Sequence, residues 1–527
     1  MRKNIIKGVA CALLTLGGLA SCELDQLPEG SLTNDASWEN YERASRHYTA
    51  LLSVLRSVSG GAATYISDLQ TDLFNERVGN TSYSQLHDWS FTSTQFDGDA
   101  LWSYNYSVLL QANDIIAHMP AFRYEGDDLT QTQLRRNAEI DYFLGAAYFT
   151  RAYAYMNLLP KYCKAYDPAT AETDLGLPIV TVPSSTYKPA RATMAQTLDT
   201  IQCYLDSAKY LFTEGLLGGY DNTQRGGAAI HEPGYDVTVA LEARFDLYSQ
   251  QYDKAIENAE NIIGLYPLVS GSDALQLLWA QDEGSELIYE PLQTTEEQGQ
   301  SYGIFVGYDI RADSETGNYY LFGNDPSFIP SKTLLNMYDA SDLRGTIYFT
   351  NPYYSTLPIS GQGDESENGT TFWKYPTNLQ LLKNPSYEWY SYIYNMGKPF
   401  RSAEAYLIAA EASLKKENRD ESAAKMYLNE LRQARYSDAS YSVNSLSGEE
   451  LDQMMEDEWA REFVGEGFRF DCLKRWHKGF TRTPQVFRNQ IVKPGAAELT
   501  ITPDNFRWTW EIPQQDRQTN PNIQPNW

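Results

Sequence analysis

The sequence predicts a mainly α-helical fold: a tetratricopeptide-like α-solenoid of four helical pairs carrying a loop-rich, minor-β insertion. Three observations predict it. Apolar residues recur on helical spacing in four separate blocks, one block carries a tetratricopeptide signature, and residues 268–399, between the last two blocks, are rich in Gly, Pro, Asn and Asp with no sustained period. A loop region of that size inside a folded chain is usually where function sits.

The first element lies outside the fold. MRKNIIK is basic, and residues 8–20, GVACALLTLGGLA, are apolar. As a helix that run reaches about 20 Å, against a hydrocarbon core of about 30 Å, so it cannot span. It ends in Leu19-Ala20-Ser21-Cys22, which has the form of a bacterial lipobox. Residues 1–21 therefore read as a lipoprotein signal peptide and Cys22 as the lipidated residue. Residues 22–35 are acidic and polar with one Pro, as a tether should be. No second hydrophobic segment follows, so the membrane is reached through the N-terminal lipid only, at about 0.8 kcal/mol per buried methylene.

Composition narrows the partners. The chain is 42% hydrophobic and 21% charged, with 39 Tyr, a residue suited to half-wet apolar surfaces. Its formal charge is −27 and becomes −30 once Arg2, Lys3 and Lys7 leave with the signal. Such a surface repels a phosphate backbone, so nucleic acid is not an expected partner. Of five Cys, Cys11 leaves with the signal and Cys22 takes the lipid. Cys163, Cys203 and Cys472 are widely spaced and read as buried small hydrophobes.

The mature chain then reads from residue 36 to residue 527 as one domain. Its first block includes residues 102–119 and 136–159, the latter alternating Ala with Tyr and Phe so that helices can approach closely. The second block is 191–213. In the third, 237–267, Tyr252, Ala255 and Pro267 fit the tetratricopeptide pattern, whereas Glu242 and Asp246 replace its Leu and Tyr. The fourth, 400–416, is apolar on most sides and pairs with 421–435.

Catalytic signatures are scarce. There is no GxSxG, HExxH, P-loop or GxGxxG, which leaves protease, kinase and dehydrogenase readings without support. A surface glycoside hydrolase would need two carboxylates across a bond. Glu458, Glu462 and Glu466 share a helical face, but Arg461, Arg469, Lys474 and Arg475 are interleaved with them. The spacing predicts a structural charge network with depressed pKa values, not a raised general acid. Asp309, Asp313 and Glu315 lack EF-hand spacing and read as a solvated acidic loop, so no metal and no cofactor are expected.

Taken in order, the lipobox, the helical pairs, FRSAEAYLIAAEASL (400–414), Arg461-Glu462-Phe463, GEGFRFDCLKRW (465–476) and the ending WEIPQQDRQTNPNIQPNW resemble the SusD/RagB family of outer-membrane nutrient-binding lipoproteins from Bacteroidetes. GLPIV (176–180) and SKTLLNMYDASDLR (331–344) extend the resemblance over nearly the whole chain. It implies a helical scaffold with a loop-rich ligand face. It also implies lipid anchoring at the outer membrane, a SusC-like TonB-dependent transporter as partner, and binding of oligosaccharide or polysaccharide, or in some members peptide, without chemistry. Glu23 and Asp25 are acidic but not adjacent, a weaker form of the family's surface-export signal.

By the same resemblance the site draws on two segments. The loop after the first long helix gives Asp72, Asn75 and Arg77 as polar contacts and Tyr83 and Trp89 as platforms for sugar C–H faces. The insertion gives Tyr302, Tyr308, Tyr319 and Tyr320. Trp102 is assigned to a packed helix instead. The aromatic stretch 385–395 alternates with period two and reads as a packed strand, with 370–375 as its antiparallel partner.

Overall fold

Two threonines start the longest helices. In the computed structural model Thr130 caps helix Gln131–Tyr162 and Thr193 caps helix Met194–Leu217, each as a reciprocal box with the glutamine three residues on. The structure describes residues 34–184, 186–218, 230–294, 300–306, 309–312, 319–322, 325–350, 356–359, 365–381, 394–486 and 490–527. Residues 1–33, read from the sequence as signal peptide and most of the tether, lie outside these. Asn34 and Asp35, read as tether, belong to a short helix, Asn34–Ser37.

By compactness the chain divides into residues 1–47 and residues 48–527. In the first unit the Trp38 ring stacks on His47 at 3.9 Å. The second holds a continuous array of helices: α1 (Asp99–His118), α2 (Gln131–Tyr162), α3 (Met194–Leu217), α4 (Tyr235–Tyr248), α5 (Tyr252–Ile263), α6 (Ser402–Lys415) and α7 (Glu421–Arg435), each packed on the next. Helix α8 (Gly448–Phe463) packs on α6, and α9 (Phe468–Arg475) packs on α8 and reaches α6 through the Arg475–Glu411 ion pair. Small residues let α2 and α3 approach: a Cβ on Gly145 would stand 3.0 Å from the Phe212 ring. The array is of helical-pair type. The pairing is with both neighbours, so α6 packs on α5 as well as on α7.

That contact explains the insertion. The chain leaves the array after α5 and returns at α6, beside the point of departure. Strands β2 (Leu287–Tyr289) and β10 (Phe400–Arg401) pair across the neck. Inside the insertion a core forms from Phe305, Phe328, Tyr348, Phe372 and Tyr375 together with Leu73, Phe74 and Val464. Many of the 21 aromatics between 301 and 400 are therefore structural. Strand β3 (Gln300–Ser301) pairs with β9 (Tyr394–Asn395), and β4 (Asp309–Ala312) with β5 (Tyr319–Phe322). Residues 370–375 form no strand, which corrects the expected pairing; the rest of the aromatic stretch, 385–393, lies outside the described residues.

The C-terminal helices carry the predicted charge network, buried, but with partners drawn mostly from far away. Glu462 receives Arg344 at 2.9 Å, Arg401 at 2.9 Å and Arg435 at 3.0 Å. Glu458 meets Arg344 and Arg432 at 2.7 Å and Arg461 at 2.9 Å, and Glu466 binds Lys374 at 2.6 Å and Arg401 at 2.7 Å. Of the neighbours expected to neutralise them only Arg461 does so: Arg469 grips Asp72, Arg475 grips Glu411, and Lys474 donates to the Pro160 and Cys163 carbonyls at the end of α2. Cys163 and Cys472 are buried, whereas Cys203 is exposed on α3, correcting that expectation.

Candidate functional site

The loop after helix Ala62–Leu69 and the far end of the insertion meet in one antiparallel ribbon. Strand β1 (Phe74–Glu76) pairs with β6 (Phe328–Pro330), and the Arg77 N–H continues the ladder to the Ser327 carbonyl at 3.0 Å. Two buried devices hold this loop. Asp68 accepts the N–H groups of Gly465, Gly467 and Arg469 at 2.8–3.1 Å. Gly467 has φ +87° and a Cβ there would lie 2.1 Å from the Thr64 carbonyl oxygen, so only glycine fits. Arg482 donates to the carbonyls of Leu69, Gln70, Thr71, His87 and Ala496 at 2.6–3.3 Å, fastening both ends of the loop.

Ribbon β1–β6 presents Arg77. Its Nη1 meets Asp325 at 2.8 Å and its Nη2 donates to the Pro358 carbonyl at 2.6 Å, next to the β7 (Thr356–Pro358) and β8 (Ser366–Asn368) ribbon. Its Nε–H is buried with no partner among the described residues. The Asp325 side chain is 81% exposed while that of Arg77 is 3% exposed, so the pair runs from interior to solvent. Burial pulls the guanidinium below its usual value, and Asp325 works against that shift. Tyr83 is half-buried, in the left-handed region at φ 59°, with its hydroxyl hydrogen-bonded to Tyr65. Burial raises its pKa, and the exposed Asp97 and Tyr104 add to the shift, so these three groups share one neighbourhood.

The other sequence-predicted residues separate from that surface. Asp72 is buried and accepts both arms of Arg469, at 2.9 and 2.8 Å. Asn75 is buried with its Oδ1 taking the Gln485 N–H at 2.9 Å. The Trp89 indole donates to the Gln70 carbonyl at 2.6 Å and packs edge-on against Trp508 at 4.8 Å. Tyr302 is stacked on Tyr375 at 3.7 Å with its hydroxyl accepting the Gly61 N–H. These four are framework, because burial and internal partners remove them from solvent. Tyr308 lies outside the described residues, and Tyr319 and Tyr320 lie on β5. Asp325, Tyr104, Arg482 and Gln485 were not singled out from the sequence, where nothing in their surroundings sets them apart.

Tyr302 also borders a cavity of about 100 Å³ between array and insertion, walled in part by the pairs Lys161–Asp471 and Arg244–Glu404. That volume suits a few waters and not a sugar ring. The arginines around Glu458 and Glu462 hold both carboxylates well below the usual range against the opposing effect of burial, the reverse of what a general acid needs.

Residues 256–527 match the family model described as the SusD family. The chain belongs to that family. Residues 47–217 match a second model, described as starch-binding associating with outer membrane. The SusD fold recurs in solved structures. A SusD superfamily protein from Bacteroides thetaiotaomicron aligns with TM-score 0.71 and 23% identity, over 92% of this chain and 99% of that one. A SusD-like carbohydrate binding protein from Bacteroides vulgatus gives 0.68 and 17% over 92% and 97%, and surface glycan-binding protein A from Bacteroides uniformis gives 0.65 and 17% over 92% and 99%. At these identities the likeness is one of fold. No protein with a curated description matches the sequence. Among the described residues no helix is long and apolar enough to cross a membrane.

Proposed function

We propose that this SusD-family chain is a non-catalytic, lipid-anchored binder of oligosaccharide or polysaccharide at the outer membrane that delivers its ligand to a TonB-dependent transporter. Membership of the family is the observation that carries the reading. The printed description of the second family model, and the names of the carbohydrate-binding and glycan-binding relatives, support sugar as the ligand class. Cys22 supplies the anchor, and Arg77, Tyr83 and β5 with Tyr319 and Tyr320 supply the ligand face, joined by Tyr104 and Asp325. The exposed Asp325 carboxylate, oriented by Arg77, suits sugar hydroxyls, and the exposed Tyr104 ring suits a pyranose C–H face.

Calorimetry of the soluble chain from residue 34 onward against a panel of neutral polysaccharides and peptides tests this. Binding of at least one glycan is expected, without new reducing ends, and Arg77→Ala weakens it about tenfold, or about 1.4 kcal/mol. Peptide binding with no response to any glycan would replace the ligand class, and new reducing ends would replace the non-catalytic reading.

A further inference from the structure

A second concave surface lies on the insertion, away from the sequence-predicted residues. It is an open cleft of about 380 Å³ lined by Tyr338, Asp339, Thr346, Phe349, Thr350 and Thr370 among others. Its floor is aromatic: Tyr338 and Phe349 meet edge-to-face at 4.9 Å. The Tyr338 hydroxyl donates to the Arg461 carbonyl at 2.8 Å, and Asp342, at the base, is bound to Arg344 at 2.7 Å inside the ionic network. The floor is therefore rigid before any ligand arrives.

The rim is polar and largely uncommitted. Asp339 Oδ1 accepts the N–H groups of Ser341 and Asp342 at 2.8 and 3.1 Å, fixing the turn. Its Oδ2, and the hydroxyls of Thr346, Thr350 and Thr370, make no hydrogen bond among the described residues. Asp339, Thr346 and Thr350 are exposed. A pocket of this size with an aromatic floor, hydroxyls that donate and accept, one carboxylate acceptor and no lining Lys or Arg selects a neutral polyhydroxylated ligand over an anion.

Gln485 ties the cleft to the first face. Its Oε1 accepts the Thr370 N–H at 2.6 Å and its Nε2 donates to the Thr370 carbonyl at 2.9 Å, while its own N–H donates to Asn75 on β1, two residues from Arg77. We propose that the cleft is a second subsite for a neutral pyranose unit of a long glycan whose other part occupies the Arg77 face. The proposal rests on the carbohydrate-binding reading and narrows it to neutral chains longer than the first face alone accommodates.

The experiment is calorimetry of the wild type, the double variant T346V/T350V, and Thr346→Arg, which fills the cleft from an exposed position. The probes are soluble starch, xyloglucan and mannan with their trisaccharides. For whichever polymer the wild type binds, both variants are expected to bind it about tenfold more weakly and its trisaccharide within twofold of wild type, with unchanged melting temperature. Wild-type affinity for the polymer in both variants, with loss in Arg77→Ala, overturns the second subsite and leaves the functional reading intact. Absence of binding to any probe by the wild type overturns both.

Discussion

Arg344 and Arg77 are both buried arginines, and they stand for two different regions. Arg344 sits among Asp342, Glu458 and Glu462, so its charge is answered entirely inside the protein. Arg77 has one carboxylate that projects into solvent, one carbonyl and one N–H without a partner. The first region locks α7 and α8 to the root of the insertion. The second ends at the surface in the exposed carboxylate of Asp325. Charges answered wholly inside the fold hold it together, and a pair that reaches solvent can exchange its outer partner for something else.

The largest break in that contrast comes from the network. Glu462→Ala leaves Arg344, Arg401 and Arg435 without their shared carboxylate, and urea unfolding at pH 7 should show a loss of about 3–5 kcal/mol. Acid titration gives a smaller, graded effect. Glu458 and Glu462 are held below the pKa near 4.3 that they have when unfolded, so the unfolded chain binds more protons than the folded one below that pH. Their stabilisation is complete above about pH 4.3 and is lost as the pH falls through the folded values; Glu462→Gln should flatten the slope of unfolding free energy against pH in that range. The smallest effect belongs to the face: Asp325→Ala removes an exposed partner and should lower stability by about 1 kcal/mol, well below the network variant, while glycan affinity changes. A large loss of stability there would erase the distinction between the two regions.

The sequence read the helices well because their signals are local. Thr130 and Thr193 cap through residues three positions on, and the apolar spacing of 400–416 foretold a helix buried on most sides. The structural role of Glu458, Glu462 and Glu466 was also legible, but not their partners: of the opposite charges near them in the chain only Arg461 pairs with one of them, Glu458. The aromatic residues of the two site segments were not. Tyr83 and Tyr302 look alike in the chain, yet one is half-exposed and the other is sealed against Tyr375. Trp89 appeared to be a platform and is turned into a cluster with Phe470, Phe480 and Trp508. Asp72 appeared to be a ligand contact and is the counter-ion of Arg469.

By itself the sequence determined the net charge, which is a sum over residues, and the helical blocks and the place where the array is interrupted, because these depend on neighbours within a few residues. Tertiary structure alone decided which charges meet and which rings see solvent. Glu462 finds Arg401 and Arg344 across 61 and 118 positions of chain, and Arg77 finds Asp325 across 248. Those distances close only when the insertion folds back on the array, and burial, which fixes both the strength of an ion pair and the availability of a ring, is set at that step.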